Sequence, residues 1–283
     1  MITLRRADQR RHDRHGRREA WLTFSSCDRG DPLADGFGAL RMLNEDRVPP
    51  GAGLVQPHPH CEVVTYVREG TLVYEDSTGR SGTIQAGEFR HVTTGERDRH
   101  AQTNISETIW AHVFQVCVRP SKLGLEFSDE QKRFSAAERR GLLRLVASPD
   151  ARRGSLRIGQ DALVYSAILD PGQHLIHELL PGRSAWLHVV RGNAELGDIV
   201  LKTGDGVGVT AERAVSLTAR AGTELLLLDL GDMSRRSSQI GQERERTTVN
   251  GGVLGPAYEN PTGKLAGAAA AVADPPAPAS AGT

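Results

Sequence analysis

Apolar residues fall in short runs along the first 230 positions or so, and polar or glycine-bearing turns separate the runs. Val63-Val64-Thr65-Tyr66-Val67, Thr71-Leu72-Val73-Tyr74, Ile109 to Val118, Ala162 to Leu169, Trp186 to Val190 and Glu224 to Leu230 are each of strand length. Most are rich in Val, Ile, Leu and Thr, residues that fit a pleated, half-buried surface. Turn signals lie between them at Asp76-Ser77-Thr78-Gly79, Gln85-Ala86-Gly87-Glu88, Asp170-Pro171-Gly172, Arg191-Gly192 and Thr203-Gly204-Asp205-Gly206. Many short strands at this spacing predict an all-β sandwich or barrel.

Residues 129–146 break the pattern. Asp129-Glu130-Gln131-Lys132 and Ala136-Ala137-Glu138-Arg139-Arg140 have helical composition, which predicts short helical turns joining two β units. The halves share a crude motif, Ala86-Gly87-Glu88 in the first and Thr203-Gly204-Asp205 in the second, read as a weak internal repeat of one barrel type. The expected organisation is a first barrel over 1–128, a connector over 129–146, a second barrel over 147–234, and a tail over 235–283. The tail ends ADPPAPASAGT and is too poor in apolar residues to order itself.

Composition narrows the function classes. The 283 residues are 38% hydrophobic and 25% charged, with no formal net charge. That amount of apolar residue suits a real core, and the balance implies no polyanionic partner. Residues 1–19 are strongly basic; a solvated arm is the expected reading, with anion or nucleic-acid contact the sharper alternative. Three cysteines, Cys27, Cys61 and Cys117, lack CxxC spacing, so no disulfide framework is expected and a reducing compartment is. No apolar run approaches the roughly 20 residues of a membrane span, and no secretory h-region follows the basic start. The expected location is the cytoplasm, with no membrane partner, no nucleic-acid partner and a monomeric state.

Candidate chemistry concentrates in Gln56-Pro57-His58-Pro59-His60-Cys61-Glu62. On a continuous strand Gln56, His58, His60 and Glu62 would share one face. Such N and O donors suit a first-row metal if a further donor comes from elsewhere. His100, followed two residues later by Gln102, is the expected further donor, because a small barrel brings distant strands around one cavity. His112 is a candidate for the same cavity or for packing. In the second half, His174 and His177 stand three apart, on opposite faces of a strand, and no metal site is expected there.

These motifs, together with Ile2 to Asp8, Ala20-Trp21-Leu22-Thr23-Phe24-Ser25, Gly36-Phe37-Gly38-Ala39-Leu40-Arg41, Glu69-Gly70, Ala86-Gly87-Glu88-Phe89, Arg99-His100 and Gly154-Ser155-Leu156, resemble the pirin-like proteins over about residues 1–232. That family includes bacterial members with quercetinase (flavonol dioxygenase) activity. The resemblance implies two fused cupin barrels and one divalent metal in the first. The metal is usually iron, with nickel, copper, manganese or zinc as alternatives. It also implies ligands from an HPH motif, an RH motif and a glutamate two residues after RH.

Two departures follow. Aligned without gaps, HPH falls on Gln56-Pro57-His58; with a two-residue deletion it falls on His58-Pro59-His60. The glutamate position is Gln102 in either case. Glutamine is a neutral donor and no base near neutral pH. Two outcomes are open: a shifted site of His58, His60, Glu62 and His100, in which Glu62 supplies the catalytic carboxylate, or a decayed site in a metal-free cavity. The functions implied are a dioxygenase-like enzyme acting on a small oxygenated aromatic, or a binding and regulatory protein with a protein partner.

Overall fold

The computed structural model describes residues 1–25, 30–56, 61–76, 79–94, 100–121 and 127–232. In chain order the strands of the first half are β1 (Ile2–Arg5), β2 (Arg11–His15), β3 (Arg18–Leu22), β4 (Leu40–Val48), β5 (Gly53–Gln56), β6 (Cys61–Glu69), β7 (Thr71–Asp76), β8 (Ser81–Gln85), β9 (Glu88–Thr94), β10 (His100–Thr103), β11 (Ala111–Val118) and β12 (Asp129–Arg133). One helical turn, α1 (Ala136–Arg139), follows. The second half contributes β13 (Arg144–Ser148), β14 (Leu156–Arg157), β15 (Ala162–Leu169), β16 (His174–Glu178), β17 (Ser184–Arg191), β18 (Asn193–Leu196), β19 (Ile199–Lys202), β20 (Gly206–Thr210), β21 (Ala214–Ala219) and β22 (Thr223–Leu230).

Each half builds a seven-stranded sheet packed on a four-stranded one. The first pair is β12-β9-β6-β11-β4-β3-β2 over β5-β10-β7-β8; the second is β1-β20-β17-β22-β15-β13-β14 over β16-β21-β18-β19. Val48, Val67 and Val113 of the larger first sheet close on Leu54, Leu72 and Ile84 of the smaller, and that closure makes the barrel interior. Strand alternation assigns the other face of the same strands to the neighbouring barrel. Val64, Tyr66, Phe89 and Phe114 join Trp186, Leu226 and Leu228 in one buried cluster between the barrels. The internal repeat is therefore structural: β4 to β11 recur as β15 to β22, and β11 lies between β4 and β6 as β22 lies between β15 and β17. The shared glycines of the repeat, Gly87 (φ 85°) and Gly204 (φ 86°), turn the chain into β9 and β20 in a left-handed conformation that favours glycine.

Several expectations change. Residues 129–133 form a strand on β9, not a helical turn, because pairing along that edge overrides local composition; only 136–139 is helical. The basic N-terminus is no solvated arm. β1 pairs with β20 of the second barrel's sheet, Leu4 opposite Val207, so the first five residues belong with the second barrel. Arg5 and Arg10 are buried and paired, Arg5 with Asp31 and Arg10 with Glu45 at 2.8 Å. Arg6 and Arg18 also pair, with Asp205 and Asp46, while Arg11, Arg14 and Arg17 stay exposed. Cys61 and Cys117 are joined as a disulfide between β6 and β11, Cα atoms 6.0 Å apart. This corrects the reading of the cysteines as free: their pairing comes from neighbouring strands and not from sequence spacing. Among the described residues no helix is long and apolar enough to cross a membrane. Cys27 and the proposed tail after 235 lie outside the described residues.

Candidate metal centre

The segment expected to carry the donors is not one strand. β5 ends at Gln56 in the small sheet and β6 begins at Cys61 in the large one. Strand parity is therefore not carried from Gln56 to Glu62, which corrects the shared face expected for these residues. His58 and His60 lie outside the described residues. On β6, Val67 points into the first barrel, so Thr65 does as well and Glu62, three positions from it, points the other way. Glu62 is fully buried against the second barrel. It accepts the Gly159 backbone N–H at 2.5 Å and lies 3.3 Å from His91 Nε2. Glu62 is thus a contact between barrels.

His100, on β10, stands opposite Gln56 on β5 and Asp76 on β7. Gln102, two positions along, is opposite Leu54 and Tyr74 and is buried in the first barrel. Its Nε2 points to Thr65 Oγ1 at 3.5 Å, and its Oε1 has no hydrogen-bond partner among the described residues. Thr65 is flanked by Gln115 on β11, which is flanked by Asn44 on β4. Gln115 Nε2 and Asn44 Oδ1 are also buried without partners among the described residues. A belt of neutral amides thus crosses the barrel interior. Arg90, opposite Thr65, donates twice to Asp129 at 2.8 Å and stacks 3.4 Å over the Tyr74 ring, while its Nη1 is buried without a hydrogen-bond partner among the described residues.

Beyond the belt, toward the end of the barrel where β6 and β10 begin, Met42, Cys61, Val63 and Cys117 pack together. A cavity of about 660 Å³ opens over Met42, Asn44 and Cys117, with Arg11, Arg41 and Arg119 around it. Asp35 is the one carboxylate among the described lining residues. The cavity and its arginines were missed from sequence. The available signal was an isolated amide in an apolar strand, Gln115 in Ala111-His112-Val113-Phe114-Gln115-Val116-Cys117.

The remaining histidines lie outside this cavity. His112 Nε2 is 2.8 Å from Glu45 Oε1, and Glu45 also accepts from Arg10. Burial pushes the Glu45 carboxyl up, but His112 and Arg10 outweigh it and bring it to about 2. His188 is fully buried beside Phe114, with neither ring nitrogen hydrogen-bonded among the described residues. Among the described residues no group of three or more His, Cys, Asp or Glu side chains could hold a metal ion. Two described donors of the first barrel's interior fit a metal, the unpartnered Gln102 Oε1 and Asn44 Oδ1, neutral oxygens of a kind that divalent cations accept, and Gln102 is the one that shares β10 with His100.

Comparisons with known proteins agree with this architecture. The pirin family model matches residues 4–118, and the model described as quercetinase C-terminal cupin domain matches residues 145–230. Quercetin 2,3-dioxygenase of Escherichia coli K12 is 38% identical over 231 residues, 81% of this chain and 99% of that protein. A pirin-like protein of Caulobacter vibrioides is 34% identical over 220 residues, 76% of this chain and 93% of that one. The crystal structure of YhhW from Escherichia coli superposes with a TM-score of 0.77, covering 82% of this chain and 99% of that one at 38% identity. A structure of the same bacterial pirin in complex with nickel(II) gives 0.76 at 37% identity, covering 82% and 100%. On sequence, on both barrels and on their pairing, this chain belongs to the pirin family of two-barrel cupins.

Proposed function

We propose that the first barrel binds one divalent metal through His58, His60, His100 and the Gln102 Oε1, and that the chain is a dioxygenase-like enzyme acting on an ionised, flavonol-type oxygenated aromatic. The observation that carries this reading is Gln102: its amide oxygen is buried, faces the barrel interior and has no partner among the described residues. A buried acceptor left without a donor costs about 1–3 kcal/mol, and a cation there would relieve that cost. Nickel in the related bacterial pirin supports the class of ion. Bound metal would supply a Lewis acid and a template for the substrate oxygens.

The chain's own residues define what the substrate must bring. Glutamine at 102 cannot accept the substrate's proton, and Glu62 faces the other barrel. The phenol must therefore enter already ionised. Arg11, Arg41 and Arg119 around the cavity favour the anion, while Met42 and the Cys61–Cys117 disulfide offer an apolar wall to the aromatic body. The neutral amide belt orients hydroxyl groups without competing for protons.

The test is metal content of the untagged protein by elemental analysis, in the wild type and in His58→Ala and His100→Ala, followed by oxygen uptake with a flavonol. Near-stoichiometric metal lost in both variants, with flavonol-dependent uptake, is expected. Absence of metal after reconstitution overturns the metal reading. Metal with no turnover leaves the second reading, a binding or regulatory pirin, which the replacement of a charged ligand by Gln102 specifically favours.

A further inference from the structure

Where β6 begins, three of the four buried side chains that pack together in the first barrel carry sulfur. They are Met42 on β4, Cys117 on β11 and Cys61 on β6, with Val63 as the fourth. The three strands are neighbours in one sheet. Met42 stands opposite Cys117, and Cys117 stands opposite Val63. Cys61 is two positions from Val63 and so shares its face. The disulfide holds the two cysteine Sγ atoms in bonding contact, and Met42 flanks that bond on the same side of the sheet.

The fold itself does not require sulfur at these places. The repeat puts Leu163 opposite Asp229 where the first barrel has Met42 opposite Cys117. Ala185 stands opposite Asp229 as Val63 stands opposite Cys117. Arg183, two positions before Ala185, therefore corresponds to Cys61. Its Nε donates to Asp229, so an ion pair ties the second barrel where a disulfide ties the first. Reductant leaves an ion pair closed, whereas a thiol can open a disulfide. The first barrel thus has a tie that opens to two soft donors, with a third, the Met42 thioether, already in place.

We propose that the reduced first barrel holds a soft metal site, separate from the His58, His60, His100 and Gln102 donor set, in which Cu(I) is bound by the thiolates of Cys61 and Cys117 and the thioether of Met42. A dithiol reductant opens the site: its two sulfurs join to each other, and each cysteine becomes a thiol. Cu(I) then displaces both thiol protons to solvent and forms two copper–sulfur bonds, with no electron transferred in that step. Thiolate and thioether ligands suit Cu(I). Zn(II) prefers a tetrahedron of nitrogen and sulfur donors, and among the described residues no histidine or carboxylate makes a trio with the two cysteines. Asn44, next on that face of β4, brings only a hard amide oxygen. The cavity over Met42 and Cys117 is the way in, and Arg41 and Arg119 on its wall offset the negative charge of a bis-thiolate complex. In the oxidised chain the two cysteine sulfurs bind each other and the site is shut.

Anaerobic titration of the full chain with Cu(I), against the competing chelator bicinchoninate, tests this in the oxidised and the dithiol-reduced states. The reduced chain should take up one Cu(I) more than the oxidised chain. Met42→Leu, a volume-conserving change, should keep the fold and the thiol count and weaken that extra ion about tenfold. Cys117→Ser should abolish it. Cys27→Ser should leave it in place, and so should His58→Ala with His100→Ala, which separates this site from the proposed divalent centre. Zn(II) should not displace it. The proposal is overturned if the dithiol cannot open the disulfide in the folded chain, or if reduced and oxidised chains take up equal copper. It is also overturned if Met42→Leu binds as tightly as wild type, if the extra ion is lost with Cys27 or with the two histidines, or if Zn(II) displaces it.

Discussion

The Glu62 carboxylate accepts the Gly159 backbone N–H at 2.5 Å, so a residue two positions from His60 ties the first barrel to the second. Glu62→Ala would leave a buried amide and the neighbouring His91 without that partner. It should cost about 2–4 kcal/mol in denaturant unfolding. Metal stoichiometry per folded protein should not change, because Glu62 faces away from the barrel interior. Loss of metal from a stable, folded Glu62→Ala protein would show that the carboxylate reaches the first barrel's site.

Gln102→Glu is the converse experiment. Its side chain faces Thr65 in the barrel interior and is almost wholly buried, so a carboxylate there adds a negative charge to the proposed donor set. The variant should retain metal at least about tenfold more strongly against a chelator. Turnover should also spread to lower pH, since a carboxylate can take the phenol proton that glutamine cannot. In the wild type the rate with a flavonol should rise with pH until the substrate hydroxyl is ionised. A pH profile that is the same in wild type and Gln102→Glu would remove the proton argument.

The sequence made the fold legible because its signal was local. The run Ala162–Leu169 predicts a strand and is β15, and the Gly87 and Gly204 turns mark the repeat. The site was less legible, for two physical reasons. Alternation holds only within a continuous strand, and the chain changes sheets between Gln56 and Cys61; parity thus placed Glu62 in the wrong barrel wall. Charge pairing is also non-local. Arg5 and Arg10 look solvated until Asp31 and Glu45 are folded against them. His177 looked isolated because its partner, Asp229, is 52 residues away on another strand.

The Cys61–Cys117 disulfide closes a loop with a sequence separation of 56. Chain entropy sets its contribution at up to about 4 kcal/mol. Reduction, or Cys117→Ser, should lower the denaturation midpoint by a corresponding amount. Because Cys117 lines the 660 Å³ cavity, reduction should also change flavonol affinity. A thiol count of three in the native protein, with no response to reductant, would refute the linkage.

His188 predicts how the protein fails in acid. Burial depresses its pKa from 6.5 to about 3, and the charge of Arg10 adds to that, against the opposing pull of Glu45. The unfolded chain therefore takes up a proton below about pH 6.5 that the native state refuses until about pH 3. Stability falls across that window by about 1.4 kcal/mol per pH unit. Glu45 adds a second loss at lower pH. Its carboxyl, ordinarily near 4.5, is held at about 2, so the stabilisation present above 4.5 disappears as pH falls toward 2. His188→Leu should abolish the first slope and leave the second. It should also stabilise the protein at neutral pH by about 1 kcal/mol, because both imidazole nitrogens are buried without partners among the described residues. Unfolding free energies at pH 7, 5.5 and about 4, in wild type and variant, separate the two groups. Parallel curves for the two proteins between pH 6.5 and 4.5 would show that His188 gains its proton without unfolding the interface between the barrels.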